Sequence, residues 1–426
     1  MGGVTPQHGN SRRPDVLVVG AGAIGVTVAY EVAKEGLAVA LVDAESAVGM
    51  KCSYGNAGLV TPSHCIPLAR PGLLRRLPGW LRPGGPVHIQ PRPSLELLRF
   101  GMAMVKSCRN DQMLAGLRSL RDLSRVSRDL FEEMAREGMD FGYRRDGVMN
   151  VTVTEAGLDG MRGDAELLWR EGFEPEVLTP DEACAKEPLL RPTITGAVYW
   201  AEDGHCEPDR YLETVAKRAA EAGGELLLGT RVDSFRRAND GSISKVVTNA
   251  GVIEPRRVVL AAGSWTPKLA RRVGTRVPVV PGKGYHIQFK DGAPRLSVPL
   301  LFHESVFGAT PMAGSLRLAG TMEFVGMNQD VQPLCAARLL HEARLYLEGL
   351  DDVSTYKTWS GLRPCTPDSL PIVGESRRVG NLIFATGHAM LGLTLAPVTG
   401  RIVRDLIVSG STDLPVHSLS PARYNA

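Results

Sequence analysis

Six residues near the start of the chain, Gly20-Ala21-Gly22-Ala23-Ile24-Gly25, have the G-x-G-x-x-G spacing that cradles a pyrophosphate. Each glycine has its own task. Gly20 permits a tight turn, Gly22 lets the backbone approach the phosphates, and Gly25 lets the next helix pack closely on its strand. The N–H groups and positive dipole end of that helix then face the anion. Asp43 ends the following apolar run, where a carboxylate accepts hydrogen bonds from a ribose and disfavours a 2′-phosphate. A second stretch of chemical character comes directly after. Residues 51–65, KCSYGNAGLVTPSHC, crowd a lysine, two cysteines, an asparagine and two glycines, and read as neither helix nor tidy turn.

These residues need elements to hold them. Val16 to Val19 reads as a buried parallel strand, residues 23–35 as a helix stopped by Gly36, and Leu37 to Val42 as a second strand. A glycine turn in an unrelated α/β fold is the bland alternative. The strand before, the helix after and the acid beyond weigh against it. Residues 67–101 are rich in proline, glycine and arginine and read as loop, whereas 110–137 has the spacing of an amphipathic helix. Short strands are expected near 146–154 and 195–200, and a helix from Pro208 to Ala222. Buried-strand character returns at Glu225 to Leu228 and Arg257 to Ala261, and 278–325 alternates like an antiparallel sheet. Asn381 to Leu406 reads strand, glycine loop, helix. The fold class expected from this order is α/β: a Rossmann-like dinucleotide domain interrupted by an α+β substrate domain with a mostly antiparallel sheet. The first takes 14–66, 206–277 and 350–410; the second takes 67–205 and 278–349; 1–13 and 411–426 read as tails.

Bulk properties exclude several classes. The chain has 426 residues, a formal charge of +3 and 22% charged residues, so nothing favours nucleic acid as a partner. Seven cysteines, odd in number and without a CxxC pair, argue against a disulfide framework or a metal site and suit a reducing cytoplasm. Residues 382–400 lack formal charge if His388 is neutral, but their three glycines and their proline argue against a transmembrane segment. Arg70 to Arg82 mixes arginines with Leu and Trp80. An ordered loop is the favoured reading, and peripheral contact with the inner face of a cell membrane the rival one.

The fingerprint alone leaves FAD and NAD open, since both carry an ADP half. A plain NAD domain would continue with βα units after Asp43. The glycine cluster from Gly387 to Gly392 instead fits a helix start aimed at the ring end of an extended flavin cofactor. Four blocks, VLVVGAGAIG with VDAE, SYGNAGLVTP, PGKGYHI, and GLRPCTPDSLPIVG followed by FATGHAMLGLTLAP, resemble the FAD-dependent D-amino-acid oxidase/dehydrogenase superfamily. Within it the chain is most similar to bacterial D-amino-acid dehydrogenases of the small, FAD-carrying type and to D-hydroxyproline dehydrogenases. The resemblance implies non-covalent FAD. It places Gly20, Gly22, Ala23, Ile24, Gly25, Asp43 and Ala44 at the ADP half, with the Val232 backbone at the adenine. Ala262, Gly263 and Trp265 pass under the cofactor, and Ser53, Tyr54, Asn56, Ala57, Gly58 and Leu59 pass beside the flavin ring. Gly387, His388, Leu391, Gly392, Leu393 and Thr394 match the loop at the pyrimidine end. Ala389 stands where glycine is frequent in the dehydrogenase branch, and Met390 is implied to border the substrate.

In the same resemblance Gly361-Leu362-Arg363-Pro364 carries the arginine that binds the substrate carboxylate, a task a guanidinium performs with two parallel donors. Tyr285 offers a second hydrogen bond, with core packing as the equal alternative. His303 and His388 are the candidate bases, against a strand residue at the pocket wall and a loop-shaping residue respectively. The implied substrate is a small D-amino acid or cyclic imino acid, D-proline or hydroxy-D-proline among them. Its electrons pass to a quinone or protein acceptor. An oxygen-reducing glycine- or sarcosine-type oxidase, an NAD enzyme and a non-catalytic FAD subunit remain as alternatives.

Overall fold

The computed structural model describes residues 12–73, 79, 85, 87–91, 93–290 and 293–426. The expected polar leader at 1–11 and most of the arginine-rich stretch after Leu73 lie outside the described residues. Arg70, at the start of that stretch, pairs with Asp164 at 2.8 Å.

Val16–Val19 and Val39–Val42 are apolar at every position and fully buried, as a strand covered on both faces requires. They pair in parallel, and Arg257–Leu260 pairs with the other side of Val16–Val19. The resulting sheet runs Ile372–Glu375, Leu382–Thr386, Arg257–Leu260, Val16–Val19, Val39–Val42, Glu225–Leu227, with only the outer Ile372–Glu375 strand antiparallel. Helix Ala23–Lys34 crosses over it, packed between Ala396–Val408 and Pro208–Glu221. Gly25 brings that helix down onto its strand: a Cβ there would overlap the Gly20 carbonyl oxygen.

The second layer is a large, mostly antiparallel sheet. Its order is Lys357–Cys365, Val280–Phe289, Ser315–Phe324, Phe307–Met312, Leu300–Phe302, Val148–Thr152, Gly196–Trp200, Pro175–Leu178. Val87–Ile89 joins in parallel beside Ser315–Phe324. The antiparallel pattern read at 278–325 and the strands near 146–154 and 195–200 are all present. Lys357–Cys365, however, belongs to this sheet, although it falls within the 350–410 piece read as dinucleotide domain.

Two other local readings change. Within 67–101, read as loop, helix Leu95–Ser107 begins, and its Ser94 cap accepts from Leu97 N at 3.2 Å. The prolines and glycines before it mask a short amphipathic run. The stretch 411–426, read as a tail, is packed down: Leu419 and Ala426 are buried, Arg423 pairs with Asp368 at 2.7 Å, and Arg377 N donates to Ala426 O.

A two-stranded ribbon, Leu59–Val60 with Gly204–His205, links residues 51–65 to the rest of the molecule. Beside it the buried Asp203 carboxylate accepts from Ser63 N at 3.0 Å and from Ser63 Oγ at 2.5 Å. Burial pushes its pKa up to about 7, against the opposing pull of the Ser63 bonds. Folded Asp203 therefore holds its proton more tightly than the unfolded chain does, and its contribution to stability is complete below about pH 4 and lost as pH rises to about 7. Denaturant titrations across that range are expected to show the decline in the natural chain and a flatter profile in Asp203→Asn. In the same assay Gly25→Ala is expected to cost about 1–3 kcal/mol through overpacking. Gly101→Ala, mid-helix with open space around it, is expected to gain about 0.5–1 kcal/mol.

Candidate active site

A cavity of about 480 Å³ lies across the C-terminal ends of the parallel strands, where open α/β sheets bind ligands. Val19 and Gly20 lead into it from the first strand, Val42 and Asp43 from the second, Ala261 from the third and Thr386 from the fourth. One end is bounded by Asp43, Ala44 and Thr230–Val232; the other reaches Cys52, Ser53, Asn56, His388, Gly392 and Leu393.

The glycine turn forms as its spacing demands. Gly20 has φ +112°, and a Cβ there would lie 2.6 Å from the Ala261 carbonyl oxygen. Helix Ala23–Lys34 carries no acid in its first turn, so no side-chain anion competes at its positive end. Ser53 reaches over that end and accepts from Ala23 N at 3.0 Å, which sets residues 51–56 against the turn. Asp43 staples the same turn, its Oδ2 accepting from Ala21 N at 2.6 Å and its Oδ1 from Glu45 N at 2.8 Å. Gly20, Gly22, Ala23, Ile24, Asp43, Ala44, Val232, Ala262, Gly263 and Trp265 all line the cavity. Gly25 lies behind it, in the helix–strand contact.

At the far end Ser53, Asn56, His388, Gly392 and Leu393 line the cavity. Tyr54, Ala57, Gly58, Leu59, Gly387, Leu391 and Thr394 do not; they shape the loops behind. Asn56 Oδ1 accepts from Gly58 N at 2.8 Å, and Thr394 Oγ1 ties Leu59 O to Thr61 N. His388 is buried and its pKa is pushed down to about 3 by that burial, so the ring is neutral, with Nε2 3.0 Å from Thr399 Oγ1. This is the geometry of a loop-shaping residue. The glycine cluster does not open the helix directly: a single 3-10 turn, Ala389–Leu391, comes first and the helix starts at Ala396. Ala389 has φ +47°, a conformation that glycine adopts without strain and an L side chain rarely takes.

Leu362 and Pro364 line the cavity, and Arg363 and Gly361 between and before them face the other side of their strand. Arg363 Nη1 donates to Thr321 O at 2.6 Å, and a Cβ on Gly284 would overlap the guanidinium. Gly284 of the PGKGYHI block thus provides the space in which Arg363 lies. Ser264 Oγ donates to Leu362 O at 3.0 Å and joins this strand to the other unit.

The remaining candidates stand apart. Tyr285 is buried and donates its hydroxyl to Glu323 Oε2 at 2.6 Å, away from the cavity lining. His303 sits by Gly160 of helix Glu155–Arg170, and Met390 is half exposed; neither lines the cavity. Lys51, unassigned from sequence, lines it, pairs with Glu45 at 2.9 Å and approaches the Trp265 ring. Gln329 and Arg272 line it too, from elements whose sequence carries no site signal. Cys365 is buried, its thiol pushed up to about 12 by that burial, and it holds no thiolate for covalent attachment.

A continuous cavity from a ribose-type acid, past a helix N-terminus with no acid in its first turn, to a second loop cluster fits an extended dinucleotide. Gly22 supplies the cradle: its missing Cβ would stand 3.1 Å from Ser53 Oγ, within the space a pyrophosphate crosses.

Comparison with known proteins agrees. Residues 15–406 match the family described as FAD dependent oxidoreductase. D-amino acid dehydrogenase of Rhizobium rhizogenes is 31% identical over 418 residues, covering 96% of this chain and 99% of that one. D-amino acid dehydrogenase of Agrobacterium fabrum is 31% identical over 422 residues, covering 97% and 100%. Among solved structures, glycine oxidase from Geobacillus kaustophilus superposes with a TM-score of 0.79 at 25% identity, covering 96% of this chain and 98% of that one. Glycine oxidase from Bacillus cereus gives 0.76 at 26% identity, covering 95% and 97%. With its fingerprint, its cavity and most of its length in agreement, the chain belongs to the family of FAD-dependent oxidoreductases and takes FAD as its cofactor.

Proposed function

We propose that this protein is a D-amino-acid dehydrogenase that acts on small or cyclic D-amino acids, D-proline and hydroxy-D-proline included, with non-covalently held FAD. The observation that carries the reading is Arg363. It lies on the strand whose Leu362 and Pro364 wall the cavity, in a space kept open by Gly284. Its hydrogen bond goes to a carbonyl, which leaves its charge for a carboxylate.

In this reading Arg363 fixes the substrate carboxylate from the face of its strand opposite Leu362 and Pro364, which wall the cavity that holds the cofactor. Bound FAD supplies the acceptor for the hydride. No acid/base side chain is required when the amine enters neutral, consistent with a buried neutral His388. A primary amine leaves as an imine that water converts to a 2-oxo acid and ammonia. A cyclic substrate leaves as a pyrroline carboxylate. Asp43 and Thr230–Val232 take the adenosine end, the turn at Gly20–Gly25 the pyrophosphate, and the loops at 53–59 and 387–394 the ring.

The names of the similar D-amino acid dehydrogenases support the substrate class. The similarity to glycine oxidases supports a second reading, in which oxygen rather than a quinone or protein takes the electrons. No helix among the described residues is long and apolar enough to cross a membrane, so a membrane quinone would be met by peripheral contact.

Purified holoenzyme assayed with D- and L-amino acids and an artificial dye is expected to turn over D-proline and other small D-amino acids and to produce little hydrogen peroxide in air. Turnover of L-enantiomers alone would refute the substrate class, and peroxide at the rate of turnover would establish the oxidase. Arg363→Ala is expected to keep its flavin spectrum and raise KM for the amino acid about 100-fold or more. Arg363→Lys is expected to fall between.

A further inference from the structure

The stretch Tyr54-Gly55-Asn56 is held from behind by side chains of the large sheet, and three consecutive carbonyls are captured there. Arg317 Nη1 lies 2.7 Å from Asn56 O and 3.3 Å from Tyr54 O. His286 Nδ1 lies 3.2 Å from Gly55 O, between them. A carbonyl accepts only, so the His286 proton sits on Nδ1. Burial first, then the neighbouring Arg317 charge, pushes the His286 pKa down to about 4 and keeps the ring neutral. Trp359 stacks on that ring with centroids 5.2 Å apart and closes over Gly55, where a Cβ would overlap the indole. The three side chains stand on adjacent strands, with His286 opposite Trp359 in register and Gln288 opposite Arg317.

Arg317 is only 3% exposed, and its hydrogen bonds go to two carbonyls and to Gln288 Oε1 rather than to a carboxylate. Gln288 is itself oriented by Ser315, whose hydroxyl accepts from Nε2 at 2.8 Å. The Arg317 Nε atom is buried without a partner. Glu207 and Asp209 act on the guanidinium only as secondary influences after its burial. A buried cation held by neutral acceptors is costly, and packing alone could be met by an uncharged chain of the same length. The charge stands directly behind Asn56, which faces the cavity.

We propose that Arg317 is a positioning residue for the flavin. Its carbonyl fork fixes Tyr54–Asn56 against the ring, and its charge behind Asn56, with no carboxylate hydrogen-bonded to it, favours the negatively charged reduced cofactor over the oxidised one. The proposal rests on the placement of residues 53–59 at the ring given above, and not on the identity of the amino acid.

The test measures the bound flavin itself, without amino acid: the midpoint potential by equilibration with a redox dye, and FAD affinity by fluorescence. In Arg317→Met the preference for reduced over oxidised FAD is expected to fall about tenfold, a shift of about 30 mV to more negative potential for a two-electron couple. Arg317→Lys keeps the charge but loses the fork, so it is expected to bind FAD more weakly and stay within about twofold of the natural preference, about 9 mV. A methionine variant with unchanged potential overturns the proposal. If that variant retains no flavin, the lysine variant decides: a potential near the natural one supports the charge role, and a tenfold loss of preference overturns it. Failure of every D-amino acid as substrate would leave both potentials readable, so the two readings fail separately.

Discussion

The contact between Gly25 and the Gly20 carbonyl, where no Cβ fits, is the constraint on which the site depends. It draws the first helix onto the first strand and leaves the helix N-terminus at the mouth of the sheet, with no acid in its first turn. A positive helix end then faces a cavity lined by Gly22, Ser53 and Ala262. Asp43 fixes the turn from the next strand through Ala21 N, so the residue type that suits a ribose also holds the phosphate cradle in shape. A side chain at Gly25 would push the helix away and remove the cavity's floor and its electrostatics together.

The large sheet does for the far end what the glycine turn does for the near one. Its strands Val280–Phe289, Ser315–Phe324 and Lys357–Cys365 deliver His286, Arg317, Trp359 and Arg363 to one region. Arg317 and Arg363 are both cations whose hydrogen bonds go to carbonyls, one to the loop at 54–56 and the other to Thr321. Thr321 holds φ +62°, a conformation a β-branched residue rarely adopts, and its carbonyl is the one that Arg363 meets. Two sheets of different character thus meet at one cavity: the parallel one presents strand ends, and the antiparallel one presents side chains.

Much of this was legible in the sequence for identifiable reasons. The first βαβ unit was read to within two residues because strands buried on both faces are uniformly apolar and the helix keeps a steady period. The glycine fingerprint was interpretable because backbone geometry dictates it. The stretch at 51–65 looked anomalous by itself, and only its resemblance to a known family suggested a place beside a cofactor. Arg317 carried no signal, since the loop carbonyls it holds lie more than 260 positions away in the chain. Tyr285 and His303 were plausible by residue type, but type does not reveal that Glu323 takes the tyrosine hydroxyl or that His303 lies by Gly160. The packed C-terminus was missed because polar residues such as Arg423, half-buried, are held down there by pairing rather than by hydrophobicity.

The central claim is that this chain uses FAD to oxidise D-amino acids. Anaerobic mixing of the FAD-loaded protein with D-proline and, separately, with L-proline, followed at the flavin's visible absorbance, tests it most directly. The account predicts that the D-enantiomer bleaches the flavin and the L-enantiomer leaves it oxidised. Bleaching by L-proline with none by any small D-amino acid, or a purified protein that takes up no flavin, would contradict it.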